Sequence, residues 1–420
     1  MSNIYKINDE KFKSVYLSYN FIMPVNRVEN SQNSVLGSVL GKACDKYRSQ
    51  KEIERHLYSL YGADFNVNIE KLGDLYNIEF RIEFVNKKFL PKNIDVSKDC
   101  IHFLYDIIYH PYLVNGKFDE SIVLREKLAI LDIIKTRKDD KLRYSVQRME
   151  EILCPDEAFG FNLYGDEDII EQITAEALYK RYHEVINQSC VVVLLSGNLD
   201  GYDNLEDEVK SVFAEKLNHD ILLKNLNYDV CTNHIFNRIE EIKETQDTAQ
   251  SVLSLGMRIK DFKIEEYFAF NVYNTILGGT PSSKLFQNVR EKESLAYTVR
   301  SRYYRFKPIF VIYAGIQLEN YEKAKNLILK QVEDMKQGNI TDVEFESAKE
   351  SLLADLLEWN DSKIAISKMK MSNTISFGKE NMTIEDMREK IRKVTMQDVV
   401  DVAQRVEPEK IFLLGGEINV

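Results

Sequence analysis

At 420 residues the chain is too long for one ordinary hydrophobic core and comfortable for two domains of about 200 residues each. Hydrophobic residues at 44% and charged residues at 29% fit a globular protein, and seven prolines and seventeen glycines exclude long disordered or Pro-rich linkers. A net charge of −11 with only short basic clusters argues against a nucleic-acid surface, and the longest apolar runs, such as Cys190 to Leu195, are strand-length and far short of a membrane span. The opening residues Met1 to Lys6 show neither a basic segment followed by an apolar one nor an Arg-rich amphipathic stretch, so a cytoplasmic protein is expected. The cysteines (Cys44, Cys100, Cys154, Cys190 and Cys231) are odd in number and never in CxxC spacing, which argues against a disulfide framework and against a thiolate zinc site.

In chain order, Ser14 to Tyr19 reads as a strand, and an apolar helical stretch ends at Leu40-Gly41. A helix runs from Gln50 to Tyr61, a strand from Tyr76 to Phe84, and a long amphipathic helix from Phe118 to Lys135. Thr174 is placed to cap a further helix that leads into the strand Val191 to Gly197. The second half repeats this order. The strand Ser251 to Gly256 lies 237 residues after Ser14 to Tyr19, and Leu277-Gly278 lies 237 residues after Leu40-Gly41. Then come a strand from Phe310 to Gln317, a helix from Val343 to Trp359, and a helix capped by Thr395 leading to the strand Ile411 to Gly416. His219 to Thr245 has no counterpart in the repeat. The organisation expected is therefore α+β: two homologous domains, 1–218 and 246–420, each a mixed sheet packed with helices and joined by a linker over 219–245.

The second half contains Gly278-Gly279-Thr280-Pro281-Ser282-Ser283-Lys284-Leu285-Phe286-Gln287-Asn288-Val289-Arg290-Glu291-Lys292-Glu293-Ser294-Leu295-Ala296-Tyr297. This string resembles the C-terminal-domain signature of the insulinase/pitrilysin zinc metallopeptidases, a family that includes the mitochondrial processing peptidases. The first half resembles the family too, through Tyr47-Arg48-Ser49 before a helix, Gly62-Ala63 after it, Phe118-Asp119-Glu120-Ser121 opening the next, Arg125-Glu126-Lys127, Gly160, Tyr164-Gly165 and the Thr174 helix. The resemblance covers nearly the whole chain and is closest to bacterial non-catalytic members. It implies two domains forming a clam-shell half-chamber.

Active members carry HxxEH on a helix, because residues four apart share a helix face and so two imidazoles hold one Zn²⁺ while the Glu activates its water. None of the six histidines here (His56, His102, His110, His183, His219 and His234) lies in such a motif. The aligned positions read Val35, Ser38 and Val39, and the third-ligand position, counted from Arg125-Glu126, reads Ile133 beside Asp132. The resemblance thus implies a degenerate site with no zinc in this chain. It also implies that Arg290 and Tyr297, at the family's spacing, contact substrate and stabilise an oxyanion. On the residues alone, Arg290 could equally pair with Glu291 or Glu293, and Tyr297 could be a rim residue of the core.

Three functions stay open. The chain is a non-catalytic subunit that encloses peptide and supplies Arg290 and Tyr297 to a zinc site on a homologous partner, or a peptide-binding or structural pseudo-peptidase, with a homodimer in either case not excluded. The third, a stand-alone hydrolase, has no Ser-His-Asp or Cys-His arrangement to support it. Other patterns have blander readings: Gly278 to Lys284 as a turn rather than a phosphate loop, Glu52 and His56 as ordinary helix residues rather than metal ligands, and Tyr303 to Phe306 as a packed strand rather than a base-stacking surface.

Overall fold

The computed structural model describes residues 4–214, 238–246, 248, 250–377 and 382–416. Both halves of the chain build the same five-stranded mixed sheet. In the first the strand order is Ile4–Asn8, Cys190–Gly197, Ser14–Pro24, Leu75–Val85 and Asp64–Leu72. In the second it is Glu240–Thr245, Val406–Gly415, Ser251–Ile259, Ile309–Ile316 and Ala296–Tyr303. Each sheet thus starts with its first strand lying parallel to its last, Ile4 opposite Val193 and Glu240 opposite Lys410, while every other pairing is antiparallel. The central strands are buried from end to end, as strands covered on both faces must be.

The structure corrects the repeat in two places. Glu240–Thr245 is the counterpart of Ile4–Asn8, so this part of the expected linker is an edge strand; residues 215–237 lie outside the described residues. Its sequence Glu-Glu-Ile-Lys-Glu-Thr has no apolar run because it pairs on one side only. The strand register also differs from the odd offset of 237 residues. Even-numbered residues face the docked helix in both sheets (Tyr16 and Ser196 in the first, Val252 and Ser254 in the second), and an odd offset would exchange the faces.

The chain divides into two compact units, and neither follows one half of the sequence. One comprises Met1–Lys135, Phe161–Asn227 and Asp361–Asn381; the other comprises Thr136–Gly160, Tyr228–Asn360 and Met382–Val420. Each half lends one helix to the other half's sheet. The contiguous boundaries 1–218 and 246–420 miss this exchange, because an amphipathic pattern reports that a helix has an apolar face and not which sheet covers it.

The lent helix Lys141–Leu153, capped by Asp140, sets Tyr144, Met149 and Leu153 against Val252, Val311, Phe412 and Leu414. It needs Gly256, where a Cβ would stand 2.5 Å from Met149 Sδ. On the opposite face of the same sheet Phe270 and Tyr273 pack against Phe310. The helix Lys363–Phe377 is received by the first sheet through polar contacts instead. Ser367 Oγ lies 2.6 Å from Ser196 Oγ, Lys363 Nζ 2.7 Å from Glu83, and Lys368 Nζ 3.0 Å from Glu70. Thr174 and Thr395 cap their helices as expected, each accepting from a backbone N–H three residues on.

Candidate functional site

The helix Arg27–Leu40 is started by Asn26, whose side chain accepts from the N–H groups of Val28 and Glu29. Polar residues on this helix are spent on anchoring it: Asn30 Nδ2 donates to the Asn162 carbonyl, Ser34 Oγ to the Tyr164 carbonyl at 2.7 Å, and Ser31 Oγ accepts from Asp166 N. Val35 and Val39 are buried, so apolar side chains fill the two positions where imidazoles would be needed. Ser38 Oγ, at the position of the general base, donates to Glu126 Oε2 at 2.6 Å. Glu126 is 5% exposed; Arg125 Nε lies 2.9 Å from its other oxygen and Lys42 Nζ lies 3.7 Å from Oε2.

Ile133, counted as the third-ligand position, is 41% exposed, whereas Val35 and Val39 are buried. The residue of that second helix whose side chain reaches the motif is Glu126, two turns earlier. In the sequence Glu126 serves only as the residue from which the third-ligand position is counted, and neither its contact with Ser38 nor its cation Lys42 can be read from a Glu in a charge-rich helix. The edge strand Asp64–Leu72 runs beside the same helix, close enough that a Cβ on Gly37 would touch Ile69 at 3.4 Å.

Arg290 and Tyr297 belong to the other unit. Arg290 lies on the π-helical turn Phe286–Lys292, its guanidinium 4.5 Å from the Phe286 ring and 3.6 Å from the Glu291 carboxylate. Tyr297 is 60% exposed on the edge strand Ala296–Tyr303, and its phenol oxygen accepts from Gln317 Nε2 at 2.6 Å. The Leu295 N–H donates to the Val289 carbonyl at 2.9 Å, which closes the turn between the two residues. Leu285 and Val289 are fully buried and fix the turn, and Gly278 lets it approach the strand, since a Cβ there would stand 2.6 Å from Ser301 N. Packing thus accounts for that glycine.

The family model "Peptidase M16 inactive domain" matches residues 172–352. The chain is 26% identical over 413 residues to the probable inactive metalloprotease YmfF of Bacillus subtilis, a match covering 98% of this chain and 95% of that protein. These likenesses make the chain similar to M16 peptidases of the inactive type. It is also 22% identical to the uncharacterized zinc protease YmxG of Bacillus subtilis, over 79% of this chain and 78% of that one. A conserved protein from Enterococcus faecalis V583 has the same fold with a TM-score of 0.86 and 26% identity, covering 99% of this chain and 96% of that chain. The peptidase M16 inactive domain from Pseudomonas fluorescens shares the fold at a TM-score of 0.76 and 16% identity, covering 99% of this chain and 96% of that one.

The M16 zinc does not fit the residues present at the motif. Two buried valines offer no lone pair, and the single carboxylate there is held by a hydroxyl, a guanidinium and an ammonium. His56, His110 and His183 are engaged elsewhere, His183 against the Tyr179 and Tyr182 rings. His56 stacks on Tyr47 at 4.6 Å beside Phe103, and burial lowers its pKa. Glu52 completes the cap of its own helix by accepting from Arg48 N, and His110 Nδ1 lies 3.2 Å from Asp106. Among the described residues no group of three or more His, Cys, Asp or Glu is placed to hold a metal ion, and no helix is long and apolar enough to cross a membrane. Cys44, Cys100, Cys154 and Cys190 are buried.

Proposed function

We propose that this M16 homologue is the non-catalytic subunit of a peptidase, enclosing an extended peptide and supplying Arg290 and Tyr297 to a zinc site on a homologous partner. The observation that carries this reading is an asymmetry. The motif positions are packed with Val35 and Val39, whereas Arg290 and Tyr297 remain exposed on a turn and strand fixed by buried neighbours. A guanidinium and a phenol are donors suited to a peptide carbonyl and to the oxyanion formed on it, and one such donor contributes about 2.7–4 kcal/mol to a transition state. The peptide is held in extended form by adding to a sheet edge. The residues of this chain bind and orient, and the chemistry belongs to the partner.

The second reading, a peptide-binding or structural pseudo-peptidase, is favoured by the local partners of the pair, since Phe286 and Gln317 already occupy one side of each donor. Affinity capture of the tagged chain from its own cells separates the two readings. A near-stoichiometric homologue bearing HxxEH supports the split site. Recovery of the chain alone or as a homodimer supports the second reading.

A further inference from the structure

The outer strand of the second sheet, Ala296–Tyr303, carries more than Tyr297. Arg300 lies opposite Tyr313 and Arg302 opposite Val311, and directly opposed residues of an antiparallel pair share a face. Val311 belongs to the apolar cluster under the helix Lys141–Leu153, with Tyr313 packed against it. Both arginines therefore stand on that face, where the sheet continues to its free edge. Both are exposed, and among the described residues neither makes an ion pair. Arg302 lies over the Tyr304 ring at 4.7 Å, which steadies the guanidinium plane and leaves its N–H groups for an acceptor. The register shift between Ala296 and Thr298 allows Tyr297 to join Thr298, Arg300 and Arg302 on the same side of the strand.

Two unpaired guanidiniums on one edge of a chain of net charge −11 are a local reversal of sign. Side chains two residues apart along a strand are separated by about 6.6 Å, and an extended ligand lying along this edge repeats that spacing. We infer that Arg300 and Arg302 select extended peptides that carry two carboxylate side chains at alternate residues, each accepting from one guanidinium beside Tyr297. This rests on the peptide-binding reading above and gives its ligand a chemical class, acidic rather than basic or apolar.

The test is fluorescence anisotropy of the full chain with labelled Thr- and Val-rich peptides of one length carrying Glu-Thr-Glu, Gln-Thr-Gln or Glu-Glu-Thr at their centre. Two exposed guanidinium–carboxylate pairs together contribute roughly a tenfold factor in Kd. The expected result is that Glu-Thr-Glu binds roughly tenfold tighter than Gln-Thr-Gln, and tighter than Glu-Glu-Thr, whose adjacent carboxylates point to opposite sides. R300Q/R302Q should abolish that preference while leaving the circular dichroism spectrum and the Tm unchanged. Equal binding of all three peptides overturns the acidic selection but leaves peptide binding standing. No binding of any peptide overturns both.

Discussion

The two sheets have one topology and receive their lent helices in opposite ways. In the second unit the helix Lys141–Leu153 sits on an apolar cluster of Val252, Val311, Phe412 and Leu414, and the chain leaving it is locked by Arg258, whose side chain is 2% exposed and pairs with Glu157 at 2.6 Å and Glu409 at 2.8 Å. In the first unit the face under Lys363–Phe377 is polar: Tyr16 donates to Glu79, Asn77 to Asn20 and Glu70, and Lys363 and Lys368 bring the helix to Glu83 and Glu70. Apolar burial is insensitive to salt and acid over ordinary ranges, whereas partly exposed ion pairs are screened. The same exchange of helices therefore yields one helix seated on an apolar cluster and one whose buried Ile366, Met369 and Ile375 are supplemented by charge pairs to its sheet, and the difference lies in side chains rather than in topology.

The largest effect that would sharpen this contrast is expected from Arg258→Ala. It removes the cation shared by Glu157 and Glu409, leaving Glu157 to Lys307 alone and a buried vacancy beside both carboxylates, and breaking a buried pair of this kind costs about 3–5 kcal/mol. Hydrogen exchange should show the loss across the second unit's sheet and little change in Ser14–Pro24. A uniform response in both sheets would mean that they unfold as one body. Gly256→Ala comes next, at about 1–3 kcal/mol, because its methyl group must displace Met149 or Leu153; a neutral result in urea melts would show that the lent helix packs more loosely than its contacts imply.

The pH dependence follows from Glu157. Burial pushes its carboxyl up, but Lys307 at 2.6 Å and Arg258 together outweigh that and hold it below the usual value of 4.5. A depressed pKa stabilises the fold above the unfolded value and loses that contribution as pH falls through the folded one. The second unit should therefore lose stability below about pH 4.5, and the slope attributable to Glu157 should vanish in Glu157→Gln. The smallest effect is expected from Lys368→Met in the first unit. That lysine is 36% exposed, so the loss should stay under about 1 kcal/mol and shrink further in high salt. A salt-independent loss of several kcal/mol would contradict the idea that this helix's charge pairs are screened.

The sequence made the local parts of the molecule legible. The strands Ser14–Pro24 and Cys190–Gly197 announce themselves by apolar density, and Thr174 and Thr395 announce their helices by capping chemistry. Long-range placement was not legible. Nothing in Lys141–Leu153 names the sheet that will cover it, and Glu240–Thr245 is an edge strand whose charged residues hide its pairing. At the motif, the loss of imidazoles was plain from Val35 and Val39, but the Glu126 contact with Ser38 depends on which way a helix faces, which spacing alone left ambiguous.

The most direct test of the split-site account is the rate of peptide cleavage by this chain reconstituted with its zinc-bearing homologue. With R290K/Y297F in this chain the account predicts a fall in kcat of roughly a hundredfold or more, with assembly of the pair unchanged. An unchanged kcat would contradict it and leave this chain as a peptide-binding or structural subunit.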